Sequence, residues 1–310
     1  YIMNILLTGS LAYDHIMVFP GKFSEHILPE QTHILNLSFT VKSFERHFGG
    51  NAGNMAYSLA QLGLKPLIVA AAGRDFAAYK KQLQKNNISS RGITIHPDQL
   101  TAQAFITTDL ADNQITAFYP GALENAAEHG LDQLKKRPDI TVISPNHPKA
   151  FMTHVRHCKK NHWPYLFDPA QIIPVLSKID LIKGISGAEG MIVNDYEWQI
   201  LRRKTGLTLA SITKALKFLI VTLGEHGADL YTSNGKQHAG AVPGTKVIDP
   251  TGAGDAFRAG FLYGLSRGMS LISSCQWGCA IASFALEYRG TQEHRLDIRK
   301  LKKRVEACKT

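Results

Sequence analysis

The sequence predicts an α/β protein. Its largely parallel central sheet carries helices on both faces, and a small β lid is added to it. Three observations support that expectation. Short apolar runs alternate with longer amphipathic stretches along most of the 310 residues, the pattern left when parallel strands are joined by crossover helices. Two glycine-rich segments, 49–54 and 252–254, stand where helical periodicity begins, and such folds bind ligands at the carboxyl ends of their strands. Two stretches, 13–46 and 101–119, break the alternation and read as extended chain outside the main sheet.

Residues 3–9 read as the first strand. Ala52, Met55, Ala56 and Leu59 recur at helical spacing, which places a helix there that Gly63 ends. A second strand is expected over 67–72, and later ones over 140–144, 165–168, 191–194 and 218–223. Within the first irregular stretch, Ile34, Leu35, Leu37, Phe39 and Val41 follow a mixed alternation. The second divides into extended pieces, 104–108 and 115–119, around a polar turn at 109–113. These excursions would build a small lid, although ordinary edge strands leave the same pattern. The large catalytic domain is accordingly assigned to 1–13, 46–100 and 120–310, and the lid to 14–45 and 101–119.

Apolar residues make up 44% of the chain and charged residues 19%, which suits a sizeable core and argues against global disorder. No run approaches the ~20 apolar residues needed to cross a bilayer. No basic segment leading into a long apolar stretch marks a signal peptide, so a cytoplasmic location is expected. Basic residues outnumber acidic ones by 35 to 25, giving +10. The excess is densest at Arg299, Lys300, Lys302, Lys303, Arg304 and Lys309, interleaved at helical spacing with Ile298, Leu301, Val305 and Cys308. That pattern describes a terminal amphipathic helix with a solvated basic face, so neither a nucleic acid nor a membrane is expected as a partner. A basic surface also suits anionic small molecules. Cys158, Cys275, Cys279 and Cys308 form no CxxC pair and are expected as buried free thiols. His47, His147 and His226 are read as surface or structural groups.

The strongest local signal is Asp249-Pro250-Thr251-Gly252-Ala253-Gly254-Asp255. It follows an apparent strand over 244–248 and opens a helix in which Phe257, Phe261, Leu262 and Leu265 are apolar. Small residues at a helix start leave backbone N–H groups approachable, and the helix dipole adds positive potential, which together make a receptor for phosphate oxygens. Asp255, in the first turn, is either a capping group or a catalytic base. Rival phosphate motifs fail. Phe257 stands where a dinucleotide fingerprint needs its third glycine, and no Walker A loop continues from Gly21-Lys22 or Gly235-Lys236.

Four weaker signals accompany it. Gly49-Gly50-Asn51-Ala52-Gly53-Asn54 places two carboxamides on one side of a helix start, and a carboxamide suits a hydroxyl because it both donates and accepts. Asn194-Asp195-Tyr196-Glu197 ends a strand and could orient water on a hard cation, or simply cap a helix. Thr222-Leu223-Gly224-Glu225-His226-Gly227 would let a nucleotide approach the backbone. Asp14, after the first strand, could accept from two neighbouring hydroxyls or sit in a turn.

Taken together and in this order, these elements resemble the ribokinase-like (PfkB) family of carbohydrate and nucleoside kinases over essentially the whole chain. Residues 49–54 match its N-terminal signature and 249–255 its C-terminal one. Stretches 9–14, 117–122, 167–170 and 290–294 are similar to bacterial adenosine kinases. Asn51 stands where ribokinases usually carry Lys. Pro250 stands where Thr is frequent, and its preset φ would preserve the turn.

The resemblance implies a ribokinase-like fold and ATP-dependent phosphorylation of a nucleoside 5′-hydroxyl, adenosine to AMP first, with a free sugar such as ribose or fructose as the alternative. Asp255 would take the hydroxyl proton, and Gly252, Ala253 and Gly254 would form the anion hole. Asp14, Gly49, Gly50, Asn51 and Asn54 would hold the acceptor. Phe105 and Phe118 would pack on the purine, or else within the lid. Thr222, Gly224, Gly227 and Asn194 would line the ATP site. Asn194 and Glu197 would order a Mg2+ shell through water, and Asp249 and Thr251 occupy the loop that holds a monovalent cation, K+, in many members. Arg258 would reach a phosphate or lie on the surface. The assembly would be a monomer or a homodimer.

Overall fold

The computed structural model describes residues 3–26, 38–111, 113–128, 130–134 and 136–309. From its start the chain runs β1 (Ile5–Thr8), β2 (Ala12–Val18), β3 (Ser43–Gly49), α1 (Asn51–Gln61), β4 (Leu67–Gly73), α2 (Ala77–Lys85), β5 (Ile93–His96), β6 (Ala102–Thr108) and β7 (Gln114–Tyr119). It continues with β8 (Ile140–Ile143), α3 (Pro148–Lys160), β9 (Tyr165–Phe167), α4 (Lys178–Ile185), β10 (Gly190–Asn194), α5 (Asp195–Thr205) and α6 (Leu209–Ala215). The last elements are β11 (Phe218–Thr222), β12 (Ala228–Thr232), β13 (Gly235–Ala239), α7 (Ala253–Ser266), α8 (Leu271–Leu286) and α9 (Ile298–Ala307).

Nine strands form one sheet in the order β13-β12-β11-β10-β9-β8-β1-β4-β5. From β11 to β5 every pairing is parallel, while β12 and β13 join antiparallel. Alternation along the strands separates two cores, as side chains of period two must. Leu7, Val142, Leu166, Ile192 and Ile220 pack with residues of α1, α7 and α8. Leu6, Ile143, Phe167, Met191 and Val221 pack with residues of α3, α5 and α6 on the other face. Both faces are covered, which is why these strands read as continuous apolar runs.

The remaining four strands form a second sheet, β3-β2-β6-β7. Its pairing joins the two irregular stretches, with β2 parallel to β6. The small sheet begins at Ala12 and β3 runs to Gly49, so residues 12–13 and 46–49 belong to it although the sequence assigns them to the large part. Ile34, Leu35 and Leu37 lie outside the described residues.

Two local expectations are corrected. Residues 244–248 form no strand; Val247 and Ile248 are exposed, and the segment borders a cavity instead of pairing with a neighbour. The terminal helix exists and buries Leu301, Val305 and Cys308, but its basic face is not wholly solvated. Arg304 turns inward, donates to both Glu287 oxygens at 2.7 and 2.9 Å and lies over the Phe284 ring. The four cysteines are free and buried. Among the described residues no helix is long and apolar enough to cross a membrane.

Candidate active site

The helix α7 starts without a side-chain cap. Gly252 occupies its N-cap position at φ +78°, and a Cβ there would meet the Thr291 methyl at 2.8 Å. Only glycine takes that backbone angle without strain. The Ala253 amide reaches back to the Pro250 carbonyl at 3.3 Å, and the Ala256 amide closes on the Gly252 carbonyl at 2.9 Å. Gly252, Ala253, Gly254 and Asp255 all line a cavity of about 1060 Å³. It lies against the carboxyl ends of β10 and β11.

Asp255 does not cap its own helix. Its Oδ2 accepts from Asn54 Nδ2 at 2.8 Å. Asn54 is in turn fixed by Thr291 Oγ1 and Gln292 Nε2, which donate to its Oδ1 at 2.8 and 3.1 Å. Gln292 also donates to Tyr79 Oη at 2.7 Å. Burial pushes the Asp255 carboxyl up to about 7; Arg258 and the Asn54 hydrogen bond pull it down, and Asp168 and Asp14 push it further up. A carboxyl poised near neutrality can take or return a proton.

Arg258 is buried, which removes the surface reading. Its Nη2 donates to Asp168 Oδ1 at 2.5 Å and its Nη1 to the Gly254 carbonyl at 2.9 Å. Burial opposes its charge, but Asp168 holds its pKa above the ordinary value. Ser144 Oγ donates to the other Asp168 oxygen at 3.1 Å. A buried pair of this kind costs about 3–5 kcal/mol to break from one side, so it fixes the peptide that precedes Asp255.

The glycine pair ahead of α1 performs a different task. Gly50, at φ +86°, lets β3 turn into α1 against the Ser10 carbonyl, where a Cβ would lie at 2.6 Å. A Cβ on Gly49 would lie at 2.1 Å from Asp14 Oδ2, so that glycine makes room for the carboxylate. Asn51 lines the cavity, yet its side chain accepts from the Ser10 amide at 2.9 Å and donates to the Pro145 carbonyl at 2.8 Å. Thus the two carboxamides expected on acceptor hydroxyls are engaged by the protein: Asn51 ties the Ser10 and Pro145 loops to α1, and Asn54 positions Asp255.

Asn194, Glu197, Thr222, Gly224 and Gly227 border the same cavity as Asp255. The sequence left Asn194 and Glu197 between a cap and a cation site, and the structure shows a full capping box. Asn194 Oδ1 accepts the Glu197 amide at 2.7 Å, and Glu197 Oε2 accepts the Asn194 amide at 2.8 Å. Burial raises the Glu197 carboxyl pKa. Among the described residues no three His, Cys, Asp or Glu side chains cluster as a metal cage. One half-buried carboxylate beside a cavity of nucleotide size still fits Mg2+, which keeps several waters and takes only one or two carboxylates.

Asp249 is buried. Its Oδ1 accepts the Thr251 amide and its Oδ2 the Gly290 amide, both at 2.9 Å. It therefore clamps the motif loop to the 290 loop. Asp14, on β2, is also buried, and burial lifts its carboxyl to about 6, with His47 pulling down and Asp249 pushing up.

The small sheet separates the two aromatic candidates. Asp14 is level with Ala104 and, through it, with Phe118, so Phe118 shares the face of Asp14. Phe105 is level with His15 and points to the opposite face, where it stacks on that ring at 4.7 Å. For Phe105 the contact present is therefore the alternative expected beside the purine, packing within the lid. Asp168, Thr291 and Gln292 were not singled out by sequence reasoning as site residues. Asp168 directly follows β9, which was a usable signal; nothing in the sequence ties residues 291–292 to Asn54.

The pfkB family carbohydrate kinase profile matches residues 9–298. A nucleoside kinase of Methanocaldococcus jannaschii is 30% identical over 293 residues, covering 93% of this chain and 92% of that one. The structure of Burkholderia thailandensis nucleoside kinase in complex with inosine superposes with a TM-score of 0.88 at 35% identity, covering 97% of each chain. The same protein in complex with ADP-inosine gives a TM-score of 0.87 at 36% identity, covering 98% of this chain and 96% of that one.

Proposed function

Since the chain belongs to the pfkB family of carbohydrate kinases and is a phosphotransferase acting on an alcohol, we propose that it transfers the γ-phosphoryl group of ATP to the 5′-hydroxyl of a nucleoside. One observation carries this reading. Asp255 is a half-buried carboxyl near neutrality, held by Asn54 at the uncapped start of α7 and bordering a cavity of nucleotide size. The names of the relatives support a nucleoside acceptor. Adenosine is the acceptor that the sequence resemblance favours, and inosine is its direct competitor.

Phosphoryl transfer asks a protein mainly for positioning and charge stabilisation. The acceptor hydroxyl donates to Asp255, which receives its proton as the new O–P bond forms and the bond to the departing ADP breaks. The amides at the start of α7, at Gly252 and Gly254, face the growing charge on the phosphoryl oxygens, and the Ala253 amide joins them by exchanging its 3.3 Å contact with the Pro250 carbonyl. Arg258 and Asp168 act by fixing that turn. Thr222, Gly224 and Gly227 supply backbone for the nucleotide. Mg2+, when bound, would neutralise phosphate charge, with Glu197 and Asn194 reaching its water shell. Asp14 accepts from acceptor hydroxyls, Gly49 and Gly50 let the acceptor approach, and Phe118 covers the base as part of a lid. Lid closure would exclude water and suppress hydrolysis of the donor. A K+ ion near Asp249 and Thr251 would have to share oxygens already accepting amides.

A coupled ADP-release assay over adenosine, inosine, guanosine, ribose and fructose, with and without K+, tests the acceptor. The expected result is a kcat/KM for a purine nucleoside above that for either sugar. A sugar turned over faster than every nucleoside would overturn the reading.

A further inference from the structure

A second cavity, of about 750 Å³, shares no lining residue with the first. Its rim follows the amino ends of β1, β4 and β5 and the chain entering β8, and it reaches inward to Asn146. Ile5, Leu6, Leu67 and Val69 make part of its wall. Lys65, Arg91, Lys136 and Arg137 stand at its exposed rim, and among the described residues no Asp or Glu lines it. Among the described residues none of the four cations has a carboxylate within 4.0 Å. The nearby Asp139 carboxylate accepts from Asn4 at 2.7 Å, so cations outnumber anions at the rim, and such an excess raises the local concentration of anions.

The inner wall carries an independent signal. His154, on α3, is 1% exposed and borders the cavity, and both of its ring nitrogens lack a hydrogen-bond partner. Nearly all buried polar groups find partners, so an orphaned one calls for a ligand or water. The cavity therefore offers cations outside, apolar wall between, and an unused polar ring within. Its volume lies in the usual range for small-molecule sites.

We propose that this cavity binds an organic phosphate, with the phosphate at Lys65, Arg91, Lys136 and Arg137 and the organic body inside against His154. The site is an effector site, because one turn joins it to the catalytic cavity. Asn146 borders the second cavity and donates to the Gly9 carbonyl at 3.3 Å. The adjacent Pro145 borders the first and accepts from Asn51 at 2.8 Å. Ser144 holds Asp168, the partner of Arg258. The inference does not depend on which acceptor the enzyme uses.

Hydrogen–deuterium exchange on the full chain tests it with three probes: AMP, ribose 5-phosphate and inorganic phosphate. Slower exchange at 91–94 and 130–137 with an organic phosphate is expected, and whichever of the two protects more strongly identifies the source as nucleotide or sugar phosphate. The double variant Arg91→Ala/Arg137→Ala should need about tenfold more probe for the same protection there, while any AMP response at 251–256 stays unchanged. In the wild type the probe should also shift kcat or KM, and the variant should lose that shift. Protection confined to 251–256, protection unaffected by the double variant, or equal protection by inorganic phosphate would overturn the site. Protection without any kinetic shift would overturn its effector role.

Discussion

The starts of α5 and α7 both follow the motif-bearing segments that line one cavity, and they resolve the same problem in opposite ways. At α5, Asn194 and Glu197 satisfy each other's backbone amides, so the helix start is closed by its own sequence. At α7, Gly252 brings no side chain to the cap and Asp255 bonds to Asn54 on another helix. A closed start stabilises a helix; an open one keeps donors for a ligand. Both sites place a carboxylate in the first turn, so residue type alone does not distinguish them. What differs is whether a local hydroxyl or carboxamide stands ready to complete the cap.

The largest effect should come from Asp255→Asn. General-base loss is worth about 10²–10⁴ in rate, so kcat should fall by that factor in steady-state assays while nucleoside binding persists. A wild-type kcat would leave the carboxylate of α7 without a part in the chemistry. The same variant carries a stability signature. Between its ordinary 3.8 and its folded-state value of about 7, the folded chain keeps a proton that the unfolded chain releases. Stability therefore falls as pH rises through that window. Asparagine removes the penalty, so Tm should rise by about 3 °C at pH 8 and by less at pH 5. An equal shift at both values would contradict the raised pKa.

Next in size is Gly252→Ala. The positive φ and the contact with Thr291 should cost about 1–3 kcal/mol in denaturant titration. Because Thr291 orients Asn54, kcat should drop by about 10²-fold, the scale of a misplaced catalytic group. Unchanged kinetics would separate the turn from the chemistry.

The smallest and sharpest contrast lies at Glu197. Glu197→Gln preserves a capping box and should leave Tm within about 1 °C, whereas Glu197→Ala should cost about 0.5–2 kcal/mol. Both should raise the Mg2+ concentration needed for half-maximal rate. If only the alanine variant did so, the carboxylate would serve α5 alone.

Much of this was legible beforehand. The parallel sheet followed from apolar runs, because strands covered on both faces need no polar alternation. Gly252–Asp255 were recognisable, because an anion-binding helix start needs small residues in sequence. Other features were not. The supposed strand at 244–248 has the right residues, but the segment borders the cavity and its Ile248 amide donates to the Leu286 carbonyl at the end of α8 at 2.7 Å. Phe105 and Phe118 looked equivalent until pairing put them on opposite faces.

The sequence by itself determined the succession of strands and helices, the two glycine turns and the carboxylate at the start of α7, since each depends on residues close along the chain. Only the tertiary structure decided that Asn54 holds Asp255, that Arg258 is buried on Asp168 and that four cations ring a cavity with an orphaned histidine. Those arrangements bring together residues as far as 201 positions apart. Their energies come from burial and from hydrogen bonds that exist only once the sheet has gathered them.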